Sequence, residues 1–224
     1  MNFEHTEERR MLADSLNRFI AEQYGIEKRN HVAASSQGFS PEKWQQFAEL
    51  GVVGALLREE DGGFGGAGFD IAVVFEALGR GLVIEPLLGS AVLAAEAISA
   101  AGSDEQKAVL GQIAEASIVA SFAHDEPNTH YELPRVATTA RRDGDGWVLD
   151  GAKAVVLNAE HAQVFVVSAR TSGAIDDEAG ISLFLVPADA AGLTIVGTPT
   201  MDGGRVGELT FNSVRLDADE LLGS

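Results

Sequence analysis

"GGFGGAGFD" (Gly62–Asp70) is the stretch on which the fold turns, because it admits two incompatible readings. From Gly63 it fits G-x-G-x-x-G, the turn where a strand passes into a helix and the backbone closes on a dinucleotide's pyrophosphate. The flanks extend the match. An apolar run, "VVGALL" (Val52–Leu57), precedes it, "IAVVFEALG" follows with helical spacing, and "LVIE" ends on Glu85, where a ribose-binding acid would stand. Against this, "REEDG" (Arg58–Gly62) separates the apolar run from the glycines, whereas a phosphate loop leaves its strand directly. The carboxylates of Glu59, Glu60 and Asp61 repel the phosphates such a loop would hold. The rest of the chain lacks the strand–helix alternation that builds a parallel sheet. The stretch therefore reads as a connector between helices whose glycines supply positive φ.

Working outward, the first half is helical. In "TEERRMLADSLNRFIAEQY", Leu12, Leu16, Phe19 and Ile20 share one face, with Thr6 as N-cap and Glu7 and Glu8 in the positive first turn. "SPEKWQQFAELG" announces a second helix: Ser40 caps, Pro41 takes the first position, Gly51 stops it, and Trp44, Phe47 and Ala48 form its buried stripe. A third helix is expected with Asp70 as its cap and Ile71, Val74, Phe75 and Leu78 inward. "PLLGSAVLAAEAISAAG" reads as a largely buried helix, and Ser103 with Gln106 forms a capping box for the next one.

From about Ile118 the period changes. "SIVASFAHD", "VATTARR", "GWVLDGAKAVVL", "QVFVVSAR", "GISLFLVPA", "LTIVGTPT" and "RVGELTFNSVRL" are short runs rich in β-branched and aromatic residues. Turn signals separate them at 143–146, 177–180 and 202–204. The expected fold class is α+β: an N-terminal all-α domain over residues 1–117, then an antiparallel β-barrel or sandwich domain over 118–224.

The chain has 224 residues, 46% of them apolar, enough for a real core. Its 34 acidic against 16 basic side chains give a net charge of −18, which argues against nucleic-acid and anionic-membrane partners. The absence of cysteine excludes disulfides and thiolate metal sites and suits a reducing compartment. With a charged N-terminus and no run long enough to cross a bilayer, a cytoplasmic location is expected. "HDEPNTH" holds His124, Asp125, Glu126 and His130, but its spacing fits no common ligand pattern, so no metal is expected. Ser117, Ser121 and Ser168 lack a nucleophile-elbow context.

Taken whole, "LREEDGGFGGAGFDIAVVFEALGRGLVIEPLL" resembles the acidic, glycine-rich signature between N-terminal helices of the acyl-CoA dehydrogenase family. The later order agrees with that family: Glu126-Pro127 after a strand, "LDGAK" after a Trp-bearing strand, "GISLFLV", then "VRLDADELLG". The spellings "EALGRGLVIEP" and "ATTARRDGDGWVLDGAKAVVL" are similar to the small-subunit type of pimeloyl-CoA and steroid-side-chain dehydrogenases. The resemblance implies FAD on the middle β domain, an acyl-CoA substrate, and α,β-dehydrogenation of the thioester. It also implies a homo- or hetero-oligomer and electron-transfer flavoprotein as a possible electron acceptor.

Carried over by position, Phe122, His124 and Asp125 face the isoalloxazine's polar edge, Val155, Val156 and Leu157 occupy the Trp-Ile-Thr flavin contact, and Tyr131 replaces a serine that touches substrate. Three departures stand out: Val155 replaces the ring-packing Trp, Leu157 offers no hydroxyl, and Gly-Ser-Asp has become His130-Tyr131-Glu132. No residue here matches the family's catalytic base, which the C-terminal helical domain carries in most members; that domain is absent from this sequence. Two functions follow: half of a flavin-dependent acyl-CoA dehydrogenase, or a non-catalytic FAD-binding or scaffolding subunit of a heteromeric one. The third, a nicotinamide-dependent oxidoreductase, rests on the glycine pattern alone.

Overall fold

The computed structural model describes residues 5–66 and 68–223. Its first half is a helical layer: α1 (Glu7–Gln23), α2 (Ile26–Ala33), α3 (Pro41–Glu49), α4 (Val52–Leu56), α5 (Gly68–Gly81), a π-helical segment (Leu87–Ala94) running into α6 (Ala95–Ala101), and α7 (Ala108–Ala114). The caps of α1 and α3 are those the sequence specifies, whereas α7 starts only at Ala108, behind the turn that the Ser103–Gln106 pair closes. Thr6 and Ser40 accept from Arg9 N and Lys43 N, and Ser103 and Gln106 bond each other's backbone N–H reciprocally. Among the described residues no helix is long and apolar enough to cross a membrane.

The glycine stretch settles its own question. Val52–Leu56 is helix, not strand. The loop folds back on the end of α4: Phe64 N donates to Gly54 O (3.0 Å), Gly65 N to Leu57 O (3.1 Å) and Gly66 N to Ala55 O (2.9 Å). Those amides satisfy carbonyls that a helix end leaves open, so none of the three is free to cradle a phosphate. A Cβ on Gly63 would lie 2.2 Å from Leu57 O, which is why a side chain is excluded there. The helix after it begins at Gly68, two residues before the expected cap. Asp70 instead lies in the first turn, and its carboxylate meets Arg9 Nε at 2.6 Å.

The second half is one seven-stranded sheet: β1 (Ala120–Ala123), β2 (Thr139–Asp143), β3 (Gly146–Leu157), β4 (Val164–Arg170), β5 (Ile181–Pro187), β6 (Leu193–Pro199) and β7 (Arg205–Leu216). The path is β1-β4-β2-β3-β7-β6, with β5 on β4. The hairpins at the turn signals are antiparallel, as expected. The sheet is nevertheless mixed, since β1 pairs β4 in parallel (Ala120↔Val164 to Ala123↔Val167) and β2 touches β4 in parallel at Thr139↔Arg170. Hairpin signals fix neighbours in sequence; β1 and β4 meet across the whole β2–β3 hairpin, where no local turn reports direction.

Two cores result. Leu16, Trp44, Phe47, Val74, Leu87 and Ile98 fill the helical layer, which Val119, Ala120, Val166 and Leu185 join from the sheet side. Leu149, Val156, Phe165, Phe184, Leu209 and Phe211 fill the sheet. At the seam Ser90 Oγ accepts from Ala120 N (3.0 Å), so the π-helical segment and β1 are joined by both packing and a hydrogen bond.

Candidate functional site

β1 ends at Ala123, and the chain continues through residues 124–131 beside the second half of β3. Ser121 Oγ donates to Leu157 O (2.7 Å) and Ala154 N donates to Asp125 O (2.8 Å), holding the two segments as one wall. β3 then breaks its alternation. Between Lys153, opposite Leu209, and Val156, opposite Gly207, it carries one residue more than β7. Lys153 and Val156 both turn inward, while Val155 is pushed outward, 62% exposed with φ of +54°. That backbone is strained for a β-branched residue, and such strain concentrates at binding sites. Val155 borders a cleft of about 230 Å³ that it shares with Asp125, Pro127, His130 and Tyr131.

Behind the wall lies a buried polar network. Lys153 Nζ, fully enclosed, donates to Glu126 Oε1 (2.8 Å), Ser168 Oγ (3.0 Å) and the His124 carbonyl (3.0 Å), using all three of its N–H bonds. Glu126 also accepts from Ala137 N (2.8 Å) and Thr138 N (2.9 Å). Burial pushes the Lys153 ammonium down to about 8, with Glu126 working against that fall. Burial likewise acts to raise Glu126, but Lys153 and the Thr138 amide outweigh it and hold the carboxyl below its ordinary value.

The network also fixes a proton. His124 Nε2 lies 3.0 Å from the Leu133 carbonyl, which can only accept, so Nε2 carries hydrogen. Nδ1 then accepts from Ser168 Oγ at 2.9 Å, and Ser168 in turn accepts from Lys153. Burial first, and the Lys153 charge second, lower the His124 pKa and keep the ring neutral. A single wire thus runs from Glu126 through Lys153 and Ser168 to His124.

The residues expected from sequence divide accordingly. Asp125, Tyr131 and Val155 line one cleft. Phe122 stacks on His124 (ring centroids 6.0 Å apart, planes 8° apart) on the adjoining strand end. Both His124 ring nitrogens are already engaged, leaving its backbone and ring face for a ligand. Val156 buries its side chain in the sheet core and can offer a ligand its backbone alone. Leu157 sits against the π-helical segment, where a Cβ on Gly89 would lie 3.1 Å from Leu157 Cβ. His130 and Tyr131 hold φ of +48° and +66° at the rim, Tyr131 91% exposed. Among the described residues no three His, Asp or Glu side chains converge as a metal site.

Sequence reasoning passed over Lys153 and Arg170 and weighed Ser168 only as a nucleophile. The signal was present: a lysine inside "LDGAKAVVL", and a serine and an arginine inside "VFVVSAR", are polar groups in strands that should bury them. Arg170, 7% exposed, donates to five carbonyls, those of Pro134, Val136, Ile175, Asp177 and Ala179, and so pins the segment after the cleft to the β4–β5 connection.

Comparison with known proteins places this geometry. Residues 6–116 match the family model described as acyl-CoA dehydrogenase, N-terminal domain, and residues 121–214 match its middle domain. The chain is 34% identical over 237 residues to (2S)-methylsuccinyl-CoA dehydrogenase of Cereibacter sphaeroides, covering 97% of this chain and 42% of that protein. Among solved structures it is similar to the ChsE4-ChsE5 complex from Mycobacterium tuberculosis (TM-score 0.87, 27% identity, 100% of this chain and 59% of the other). It is also similar to a glutaryl-CoA dehydrogenase from Mycobacterium smegmatis in complex with FADH2 (TM-score 0.85, 27% identity, 98% and 56%). In each case the chain spans less than two thirds of the relative's length.

Proposed function

The chain belongs to the acyl-CoA dehydrogenase family, and we propose that it supplies the flavin-bearing half of an acyl-CoA dehydrogenase site, its helical domain ending and its β domain beginning near residues 117–118. The observation that carries the reading is the β3 bulge, which spends backbone strain to stand Val155 out beside the cleft as an apolar platform. The residues fit a flavin there. Val155 offers a surface for the ring system, while Asp125 and Ala154 border the same cleft, and Phe122 and His124 form a flat stacked pair on the adjoining strand end. A glutaryl-CoA dehydrogenase of similar fold holds FADH2, which supports the assignment. Bound FAD supplies the acceptor for the hydride that leaves the acyl β-carbon.

The chain's own residues bind and orient. Glu126 is not a base for the α-proton: it is buried, and its oxygens are committed to Lys153, Ala137 N and Thr138 N. The base comes from a helical domain or a partner subunit that closes over the cleft. Tyr131, exposed at the rim, is positioned to touch the acyl-CoA. The purified chain, reconstituted with FAD and desalted, retains flavin absorbance if this is right; a colourless protein that quenches no flavin fluorescence on titration overturns it.

A second reading, a scaffolding subunit of a heteromeric dehydrogenase, is favoured by Leu157, which has no hydroxyl to offer a flavin, and by the similarity to the ChsE4-ChsE5 complex. It predicts a mixed oligomer on co-expression with a full-length homologue. Separate elution of the two chains refutes it.

A further inference from the structure

Among the described residues, two carboxylates line the cleft at Val155, those of Asp125 and Glu126, and no lysine or arginine does. The two acids are placed differently. Glu126 is buried, and its charge is answered by the Lys153 ammonium at 2.8 Å and by the amides of Ala137 and Thr138. Asp125 is half-buried, and its carboxylate makes no hydrogen bond or ion pair with any described residue. Neither of its oxygens is sealed from solvent. Its backbone is nevertheless held on both sides. Ala154 N donates to the Asp125 carbonyl (2.8 Å), and Lys153 Nζ grips His124 by its carbonyl and Glu126 by its carboxylate. With its third N–H on Ser168, Lys153 has no bond left to turn toward Asp125.

We propose, on the flavin reading above, that Asp125 sets the charge preference of this cleft: it weakens the hold on reduced flavin more than on oxidised flavin and so lowers the reduction potential of the bound pair. Two-electron reduction of a flavin near neutral pH takes up one proton, so the ring system gains one negative charge. A carboxylate fixed beside it in a half-buried cleft opposes that gain, because like charges repel more strongly there than in water. Glu126 opposes it far less, since Lys153 cancels its charge at contact distance. The remaining excess of acids in the chain, which gives a net charge of −18, acts mostly from beyond the cleft, where salt screens it. A different role, with Asp125 as a hydrogen-bond acceptor for a ring N–H, would hold both redox forms alike and leave the potential unchanged.

The test uses the full chain reconstituted with FAD. Asp125→Asn and Asp125→Ser remove the charge, and Asp125→Glu keeps it. The potential of the bound flavin is read anaerobically against reference dyes during slow reduction by xanthine and xanthine oxidase. Affinity for oxidised FAD is read by flavin fluorescence, and folding by circular dichroism. Both neutral variants should favour the reduced form by roughly tenfold or more, a rise of about 30 mV for a two-electron couple. Asp125→Glu should move less than half as far. Because the Asp125 carboxylate bonds to no described residue, its loss leaves the fold intact, and the second neutral variant covers the failure of the first. An unmoved or lowered potential in the neutral variants, or an equal rise in Asp125→Glu, overturns the proposal. Flavin retained with an unmoved potential overturns it alone; an unsubstituted chain that retains no flavin overturns the flavin reading and this proposal together.

Discussion

Lys153→Met isolates the wire behind the cleft. Methionine keeps most of the stem's volume, so packing changes little, but the ammonium and its three hydrogen bonds disappear. Glu126, 8% exposed, then keeps two amide donors and no countercharge. Breaking a buried pair by removing one partner costs about 3–5 kcal/mol, several times an exposed pair's ~0–1 kcal/mol. The double variant Lys153→Met/Glu126→Gln removes both charges, so it should be more stable than the sum of the single losses predicts, by at least ~1 kcal/mol. Urea unfolding followed by tryptophan fluorescence and circular dichroism measures both quantities. A structural loss alone would not test the wire, so the His124 ring is read by ¹⁵N chemical shift. Unsubstituted protein shows the Nε2–H tautomer, and Ser168→Ala, which deprives Nδ1 of its donor, should mix the tautomers. A cost below ~1 kcal/mol for Lys153→Met, additivity in the double variant, or an unmoved His124 signal in Ser168→Ala would refute the reasoning.

Because the folded Lys153 pKa lies near 8 against an ordinary 10.5, the unfolded chain holds the extra proton between those values. Stability therefore rises with pH across that window, by up to ~1.4 kcal/mol per unit, and the rise is missing in Lys153→Met when both are measured by urea midpoint. Glu85 behaves oppositely: burial raises its carboxyl above 4.5, so its contribution is complete below that value and fades as pH climbs through the folded pKa. Glu85→Gln should flatten that part of the profile while Tyr24→Phe, which removes the 2.5 Å hydrogen bond, costs about 1–2 kcal/mol. Gly63→Ala should destabilise by more than about 2 kcal/mol, because its Cβ meets a backbone oxygen, whereas Gly79→Ala, in open space inside α5, should add about 0.5–1 kcal/mol; equal effects would discredit the loop packing. Val155→Gly should relieve about 1–3 kcal/mol of backbone strain yet weaken FAD retention, and a variant that gains both stability and flavin would remove the platform argument.

The longer helices were legible because their signals are local; α2, which buries no residue, and the five-residue α4 were not. Thr6 and Ser40 cap what their neighbours begin, and apolar residues at helical spacing bury as the period requires. The β hairpins were legible for the same reason. What escaped was non-local: the parallel β1–β4 ladder joins segments more than forty residues apart, and no turn chemistry records it. Within the candidate site, resemblance pointed to two segments that the fold does bring side by side, but not to the contacts of their side chains. His124 was placed at the flavin edge on its position, yet its nitrogens face Ser168 and Leu133. Lys153 carried no role on its own, since a single lysine in a strand acquires meaning only with Glu126, 27 positions earlier in the chain, and Ser168, 15 positions later.

One irregularity connects these facts. In an unbroken strand Lys153 and Val155 would share a face, so a buried lysine would bury the valine with it and leave the cleft without its apolar edge. The extra residue opposite β7 lets Lys153 and Val156 both turn in while Val155 turns out. Charge burial behind the wall and exposure in front of it are thus two consequences of one bulge. The hydrogen bonds of Lys153 fasten the inward side next to a β-branched residue held at positive φ on the outward side. Strain at Val155 and the Lys153–Glu126 pair should therefore be energetically coupled, so that relieving the first with Val155→Gly recovers part of the stability lost on removing the second. Strictly additive losses in that double variant would mean that the bulge is held by β7 alone.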